Sequence, residues 1–325
     1  MKLSVIIPAY NAAPWLGRCI RSLEEGQALP RGEYELLIVD DGSTDGTLEV
    51  AREMAEEFPN IRVMSQRNSG PGAARNAALD VAEGDYVFFV DADDAVAEGA
   101  LDAIAGKCCA LDLDLLQIAA ANVLPEDGSV RRRVSYGYGD VRSGSEILLR
   151  GIKVCTPFTI CRRALLGEHS LRFLPGIFHE DAEFLPRLYY HARRVAAIDD
   201  ILYLVYLTPG SVTRTPNPGR IDDMLTVMES LHRFCEGVDD AVKPAFHDRI
   251  ASNLNYTLHL SMEFGKDRRK ALGAALKERA YLLEHLCKSS RFRWKAEGAL
   301  FRLCPTHVPG IYGFFFRFVK PDPES

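Results

Sequence analysis

Asp91, Asp93 and Asp94 put three carboxylates within four residues, directly after the apolar run YVFFV. Like charges this close repel, and a divalent cation relieves them. In an extended backbone alternate side chains share a face, so Asp91 and Asp93 are expected to offer oxygens to one site while Asp94 turns elsewhere. Hard carboxylate ligands in that number suit Mg²⁺ or Mn²⁺, ions that complete their shells with substrate phosphates. The same spacing also suits a capping and turn cluster ahead of a helix starting near Glu98, and spacing alone leaves both open. In the second acidic cluster, Asp40 to Asp45, Ser43 or Thr44 reads as a helix N-cap. Asp41, beside the loop after the first strand, could accept from the imide N–H of a uracil-type base stacked on Tyr10. NSGPGAARN brings Arg75 near a helix start, where its guanidinium and the backbone N–H groups can meet a diphosphate; a solvated arginine is the plain alternative.

The elements that must position these residues follow from periodicity. LSVIIP reads as a strand, then Trp15, Leu16, Cys19, Ile20 and Leu23 share one helical face. YELLIVD precedes Leu48, Ala51, Met54, Ala55 and Phe58; IRVMS precedes Ala74, Ala77, Ala78 and Val81; YVFFVD follows. This βαβαβαβ order predicts an α/β fold with a mostly parallel sheet flanked by helices, which binds ligands outside the carboxyl ends of its strands. PAYN (Pro8 to Asn11), DDGSTDGT, NSGPGAARN and DADD all fall at those ends. LDLLQIA and AAIDDILYLVYL read as later strands, PFTICRRALL as a strand turning into a helix, and Arg131, Arg132 and Arg133 as a solvated loop face. After TPNPGR, Ile221, Met224, Leu225, Met228 and Leu231 keep helical spacing, as do Leu272, Leu276, Ala280, Leu283 and Leu286. The expected division is therefore 1–215, the α/β domain, and 216–325, a helical region.

The 325 residues are 47% hydrophobic and 26% charged, ordinary for a soluble globular chain. The net charge of −6 hides a basic stretch from Lys266 to Lys320 beneath an acidic first two hundred residues. Eight cysteines without CxxC spacing, and no leader-like segment, read as reduced and mostly core thiols of a cytoplasmic protein. No apolar run reaches the length of a membrane span. The acidic face makes nucleic acid a poor partner, and the absence of GxGxxG and GxxxxGK[ST] argues against dinucleotide redox and P-loop chemistry. The histidines other than His179 form no ligand-spaced set. FRWKAEGALFRLCPTHVPGIYGFFFRF interleaves cations with aromatics, which suits an anionic membrane surface; packing on the catalytic domain or a homodimer contact is the alternative. Only the end, PDPES, reads as disordered.

PAYN, VDDGSTDGT, NSGPGAARNAAL and FVDADD, in this order and spacing, resemble the inverting family 2 glycosyltransferases of GT-A fold, over roughly residues 1 to 215. HEDAEF (His179 to Phe184) is similar to that family's later ED motif. The resemblance implies a nucleotide-sugar donor, UDP foremost, and transfer to an acceptor hydroxyl in polysaccharide or glycolipid synthesis. It puts Pro8, Tyr10 and Asp41 around the base, and Asn11 and Arg75 are further candidates for binding the donor. Asp91 and Asp93 stand at ribose and metal, with Asp94 beside them. It implies Asp181 as catalytic base, with Glu180 able to exchange roles; an acidic pair opening a helix also suits the helix dipole. His179 is a secondary candidate, more ordinarily a structural donor. In place of basic residues in the run before PGS, this chain has YLVYLTPGSVTR, so either Arg214 compensates or the phosphate contact is weaker. Saccharide or lipid-linked acceptors, and a peripheral place on the inner face of the plasma membrane, follow as expectations. A non-catalytic nucleotide- or carbohydrate-binding module on the same fold is the runner-up, opposed by the retained DADD acids and Asp181.

Overall fold

The computed structural model describes residues 2–124, 129–137, 139–207 and 217–316. Arg214, the PGS segment and PDPES lie outside them. The chain begins β1 (Leu3–Ala9), α1 (Ala13–Glu24), β2 (Tyr34–Asp40), α2 (Thr47–Glu57), β3 (Ile61–Ser65), α3 (Pro71–Leu79) and β4 (Tyr86–Phe89), the alternation expected. β1 and β2 are near-continuous apolar runs because helices cover both faces of a parallel sheet. Leu16, Cys19, Ile20 and Leu23 are the buried face of α1, and Thr47, Ala51 and Met54 that of α2.

The next elements are β5 (Ala95–Val96), α4 (Ala100–Ala110), β6 (Leu115–Val123), β7 (Val130–Val134) and α5 (Gly144–Arg150). β8 (Thr159–Arg162), α6 (Arg163–Glu168), α7 (Glu180–His191) and β9 (Val195–Tyr206) complete the sheet region. The sheet order is β3-β2-β1-β4-β8-β6-β9-β5, with β7 on β6. β3, β2, β1 and β4 are parallel, whereas β8 runs antiparallel to both β4 and β6. The parallel character thus belongs to the half that carries the motif loops, and the sheet is mixed beyond β4. Arg131, Arg132 and Arg133 belong to strand β7 rather than to a loop, since β6 offers a free edge for antiparallel pairing.

The chain packs as two compact units. One comprises Met1–Gly144, Val154–Gly176 and Leu188–Arg214 and holds the sheet; the other comprises Ser145–Lys153, Ile177–Arg187 and Thr215–Ser325. The second therefore takes in the first turns of α7, with Glu180 and Asp181, as well as the C-terminal helices. These are α8 (Gly219–Glu236), α9 (Lys243–Ser261), α10 (Lys266–Glu278), α11 (Tyr281–Lys288), α12 (Phe292–Leu303) and α13 (Val308–Phe316). Their apolar stripes meet in the pairs α8–α9, α9–α11, α11–α12 and α10–α13. Among the described residues no helix is long and apolar enough to cross a membrane. All eight cysteines are free; Cys19, Cys108, Cys161 and Cys235 are buried, but Cys109 and Cys304 are exposed, so the thiols are less uniformly core than expected.

Three histidines without ligand spacing in the sequence do meet in the second unit. His285 Nε2 lies 2.9 Å from His232 Nδ1, and His285 Nδ1 lies 2.8 Å from His247 Nδ1. Each ring nitrogen of His285 faces another ring, an arrangement that neutral imidazoles satisfy by donating at one nitrogen and accepting at the other. Burial, then His247, His232 and Lys288, push His285 down to about 3. The folded state therefore refuses a proton that the unfolded chain takes up near its ordinary value of about 6.5. Stability is unaffected above that pH and falls as the pH drops from there toward 3. At pH 5 the expected loss is about 2 kcal/mol. Thermal unfolding at pH 7 and pH 5 measures it, and His285→Gln should flatten the difference; equal acid sensitivity in both proteins would contradict the assignment.

Candidate active site

The strand order reverses at β1: β2 and β3 lie on one side, β4 on the other. β1 stays paired with β2 as far as Ala9 but with β4 only as far as Ile6. The carboxyl ends of β1 and β4 therefore part at the switch point where open parallel sheets bind ligands. Pro8, partly exposed, and Tyr10, 50% exposed, stand at that end of β1.

Side chains chain the four motif loops together. Asn11 has a φ of 49°, a left-handed conformation that asparagine tolerates. Its backbone N–H donates to Ser43 Oγ at 3.0 Å, and its Oδ1 accepts from the Thr44 N–H at 2.8 Å. Ala12 N–H donates to Thr47 Oγ1 at 2.7 Å. The helix after this loop starts later than expected, at Thr47, and neither Ser43 nor Thr44 caps it. Asp45 does the nearest equivalent, with Oδ1 accepting from Thr47 N–H at 3.0 Å and Oδ2 from Ala13 N–H at 3.2 Å. The physical reason is that Ser43 and Thr44 are committed to Asn11 across the loop.

Asp41 is buried and ties the second loop to the third. Its Oδ1 accepts from Gln66 Nε2 at 2.7 Å and from the Ser69 N–H at 2.9 Å, and its Oδ2 accepts from the Gly70 N–H at 2.8 Å. Gly70, with φ 87° and ψ 163°, occupies a region essentially restricted to glycine and delivers the chain into Pro71, the first residue of α3. Gly42 is equally constrained: its φ is 72°, and a Cβ there would sit 2.7 Å from the Asn68 nitrogen. Asp41 thus shapes the rim whether or not it also meets a base.

Arg75, on the second turn of α3, is buried rather than solvated. Its Nη2 donates to Asp91 Oδ1 at 3.0 Å, and its guanidinium lies 5.4 Å from the Phe173 ring centroid. The DADD segment is not the extended backbone expected. Asp94 N–H donates to Asp91 C=O at 3.0 Å, closing a turn. Asp91 and Asp93 remain partly exposed, while Asp94 is buried. Its Oδ2 accepts from Tyr203 OH at 2.9 Å and its Oδ1 from the Tyr206 N–H at 2.9 Å. Burial, then the charges of Asp91 and Asp93, push Asp94 up to about 8. The three acids are therefore close enough to repel, and Asp91 and Asp93 are the two that solvent partly reaches. Among the described residues no group of three or more His, Cys, Asp or Glu forms a closed cage. Asp91 and Asp93 could hold a metal only if it drew its remaining ligands from elsewhere, such as phosphate oxygens.

Glu180 and Asp181 open α7 in the second unit. Asp181 is partly exposed, with Oδ1 accepting from the Ala182 N–H at 2.7 Å, and Glu180 is buried. Helices α8 and α9 hold this turn. Ser230 Oγ donates to Glu183 Oε1 at 2.7 Å, and Phe178 N–H donates to Asp223 Oδ2 at 3.1 Å. Arg249 Nη2 donates to Ile152 C=O at 2.6 Å. Burial lowers the Arg249 guanidinium to about 10, opposed by the negative charge of Asp181. His179 has a φ of 65° and packs edge-on to Tyr256 at 5.4 Å. Among the described residues its buried Nε2 has no hydrogen-bond partner, so that nitrogen is not the structural donor expected.

Sequence reasoning missed the residues that hold the DADD turn from outside. Arg18 Nη2 donates to Asp93 C=O at 2.5 Å while its guanidinium stacks 3.6 Å from the Tyr206 ring centroid. Asp91 N–H donates to Tyr203 OH at 3.1 Å. The two tyrosines of YLVY are visible in the sequence, but nothing local couples them to acids more than a hundred residues earlier.

The family model described as "Glycosyl transferase family 2" matches residues 4–167. Over 271 residues the chain is 30% identical to the uncharacterized glycosyltransferase YibD of Escherichia coli (strain K12), covering 77% of this chain and 76% of that protein. It is 33% identical over 208 residues to the poly(ribitol-phosphate) beta-N-acetylglucosaminyltransferase TarS of Staphylococcus aureus (strain Mu50 / ATCC 700699), covering 62% of this chain and 35% of that protein. A crystal structure of S. aureus TarS 1-349 in complex with UDP-GlcNAc superimposes with a TM-score of 0.71 at 25% identity, covering 98% of this chain and 92% of that one. That likeness is to a GT-A structure, and it agrees with the α/β architecture and helical C-terminal region described above. A family match across half the sequence, a relative similar along most of its length and the motif loops chained together at the switch point lead to one conclusion: the chain belongs to the family 2 glycosyltransferases and is a glycosyltransferase enzyme.

Proposed function

We propose that the chain transfers a sugar from a UDP-sugar to an acceptor hydroxyl of a cell-surface polysaccharide or glycolipid, with inversion at the anomeric carbon. The observation that carries the reading is the rim at the switch point, where Tyr10, Asp41, Arg75, Asp91 and Asp93 are joined through one hydrogen-bonded loop system in a chain of this family. TarS crystallised with UDP-GlcNAc supports the nucleotide, and the poly(ribitol-phosphate) name of that relative supports a polymeric acceptor.

Tyr10 offers an exposed ring for the base to stack on. Asp41 fixes the Ser69–Gly70 backbone and presents its remaining acceptor capacity to the imide N–H. Arg75 directs its charge at the acidic turn and the diphosphate beside it. Asp91 and Asp93 hold Mg²⁺ or Mn²⁺, which when bound supplies Lewis-acid stabilisation of the charge developing on the departing diphosphate. Asp94 keeps the turn in place through Tyr203 and Tyr206. Asp181 takes the proton of the acceptor hydroxyl as its oxygen attacks the anomeric carbon opposite the leaving diphosphate. A single displacement inverts the configuration. Glu180, buried at the same helix start, is the acid next placed to exchange with it.

Thermal shift against nucleotide sugars, with and without Mn²⁺, tests the donor. A ligand at 100 times its dissociation constant stabilises the folded state by about 2.7 kcal/mol. UDP-sugars with Mn²⁺ are expected to raise the melting temperature most. No shift from any nucleoside diphosphate, alone or with metal, would defeat the reading.

A further inference from the structure

Helix α12 has two apolar faces, and among the described residues only one is covered. Trp294, Glu297, Gly298 and Phe301 are its buried face, and it packs on α11. A helix face that met only water would be polar. Here Phe292, Ala296, Ala299, Leu300 and Leu303, spaced i, i+4, i+7, i+8 and i+11, form an outward stripe on which every residue is exposed. Phe292 is 86% exposed, Leu303 78% and Leu300 38%. Single exposed apolar residues are ordinary, but a row along one helix marks a contact surface. Exposed Lys295 and Arg302 border the stripe on one side, and Arg293, paired with Glu297, borders it on the other. Residues 266–303 carry eleven Lys and Arg against four Asp and Glu. Phe314 on α13 is also exposed, at 78%.

We propose that this face of α12 docks on an anionic lipid bilayer, with the apolar stripe entering the boundary between headgroups and acyl chains and the flanking cations meeting lipid phosphates. The charge pattern selects this occupant. An isologous contact with a second copy through the stripe would bring the Lys295 and Arg302 charges of both copies together. A lipid surface supplies the opposite sign along the whole rim. Docking goes beyond the proposed transfer reaction and does not depend on it, since none of these residues belongs to the candidate active site.

Co-sedimentation of the full chain with phosphatidylcholine vesicles, with and without phosphatidylglycerol, tests the proposal. The wild type is expected to bind the anionic vesicles and to release in salt. A juxtamembrane cation contributes about fivefold in affinity, so the Lys295→Glu/Arg302→Glu pair should weaken binding at least about 25-fold. Phe292→Ser/Leu303→Ser should weaken it at least about tenfold. Both pairs are surface positions, so melting temperature and UDP-sugar hydrolysis should match the wild type, which separates failure of docking from failure of the transfer reading. Unchanged vesicle binding in both pairs would overturn the proposal. A wild-type dimer that Phe292→Ser/Leu303→Ser converts to monomer, without vesicle binding, would overturn it in favour of self-association.

Discussion

Asp181→Asn is expected to lower the turnover number by about 10³-fold while leaving the donor KM within about twofold, because a general base contributes about 10²- to 10⁴-fold and acts only as the acceptor proton moves. The substitution is conservative. Asparagine can still accept from the Ala182 N–H that now bonds Asp181 Oδ1, and the turn stays anchored through Glu183 to Ser230 and Phe178 to Asp223. A lost fold is therefore not the expected cause of lost activity, and an unchanged melting temperature checks this. Glu180→Gln separates the two acids of the pair: a large loss there with little effect at Asp181 would transfer the base role to Glu180. Full transfer activity in both variants would remove the mechanism. The configuration of the product, read by NMR, is expected to be inverted, since one base and one displacement leave no step to restore it.

Asp93→Asn is expected to cost about 10²- to 10³-fold in kcat/KM, comparable to losing one preorganised stabiliser of developing charge. Raised Mn²⁺ should recover part of the loss, since the variant keeps Asp91 and the phosphate oxygens as ligands. At a fixed Mn²⁺ concentration, the Mn²⁺-dependent part of the UDP thermal shift should shrink with it. Asp93 is the cleaner probe because Asp91 also carries the Arg75 pair at 3.0 Å, so Asp91→Asn weakens that pair as well as removing a ligand position. Asp94→Asn is expected to act on stability more than on metal response, because that side chain is occupied by Tyr203 OH and the Tyr206 N–H. Activity in Asp93→Asn that matched the wild type at every metal concentration would exclude the acid as a ligand.

The pairing of Asp91 with Arg75 alters how the rim works. Sequence spacing suggests one arginine for the diphosphate and two acids for a cation, as independent parts. Folding couples Arg75 to Asp91, so in the proposed reaction a cation at the acids and a diphosphate beside it would share the field of a buried guanidinium. Replacing Asp91 removes one counter-charge of the buried Arg75 guanidinium, a larger disturbance than loss of a solvated contact. Single-residue losses at this rim are accordingly not expected to add.

Local periodicity was enough to read the strand–helix alternation of the first ninety residues, the positions of its four loops, the later strands at LDLLQIA, TICR and AAIDDILYLVY, and the helical C-terminal region. The residue types in those loops marked Arg75, Asp91 and Asp93 as candidates for donor and metal binding. Tertiary structure alone decided that β8 enters antiparallel, that the DADD backbone turns instead of extending, and that Asp94 is drawn to Tyr203 and Tyr206. It alone gathered His232, His247 and His285, and packed the turn bearing Asp181 with α8 and α9. The dividing line is physical. Propensity and amphipathic spacing report on neighbours within a few residues, where the backbone period repeats. A hydrogen bond between positions a hundred residues apart leaves no periodic trace, and it forms only after the core has brought its two ends together.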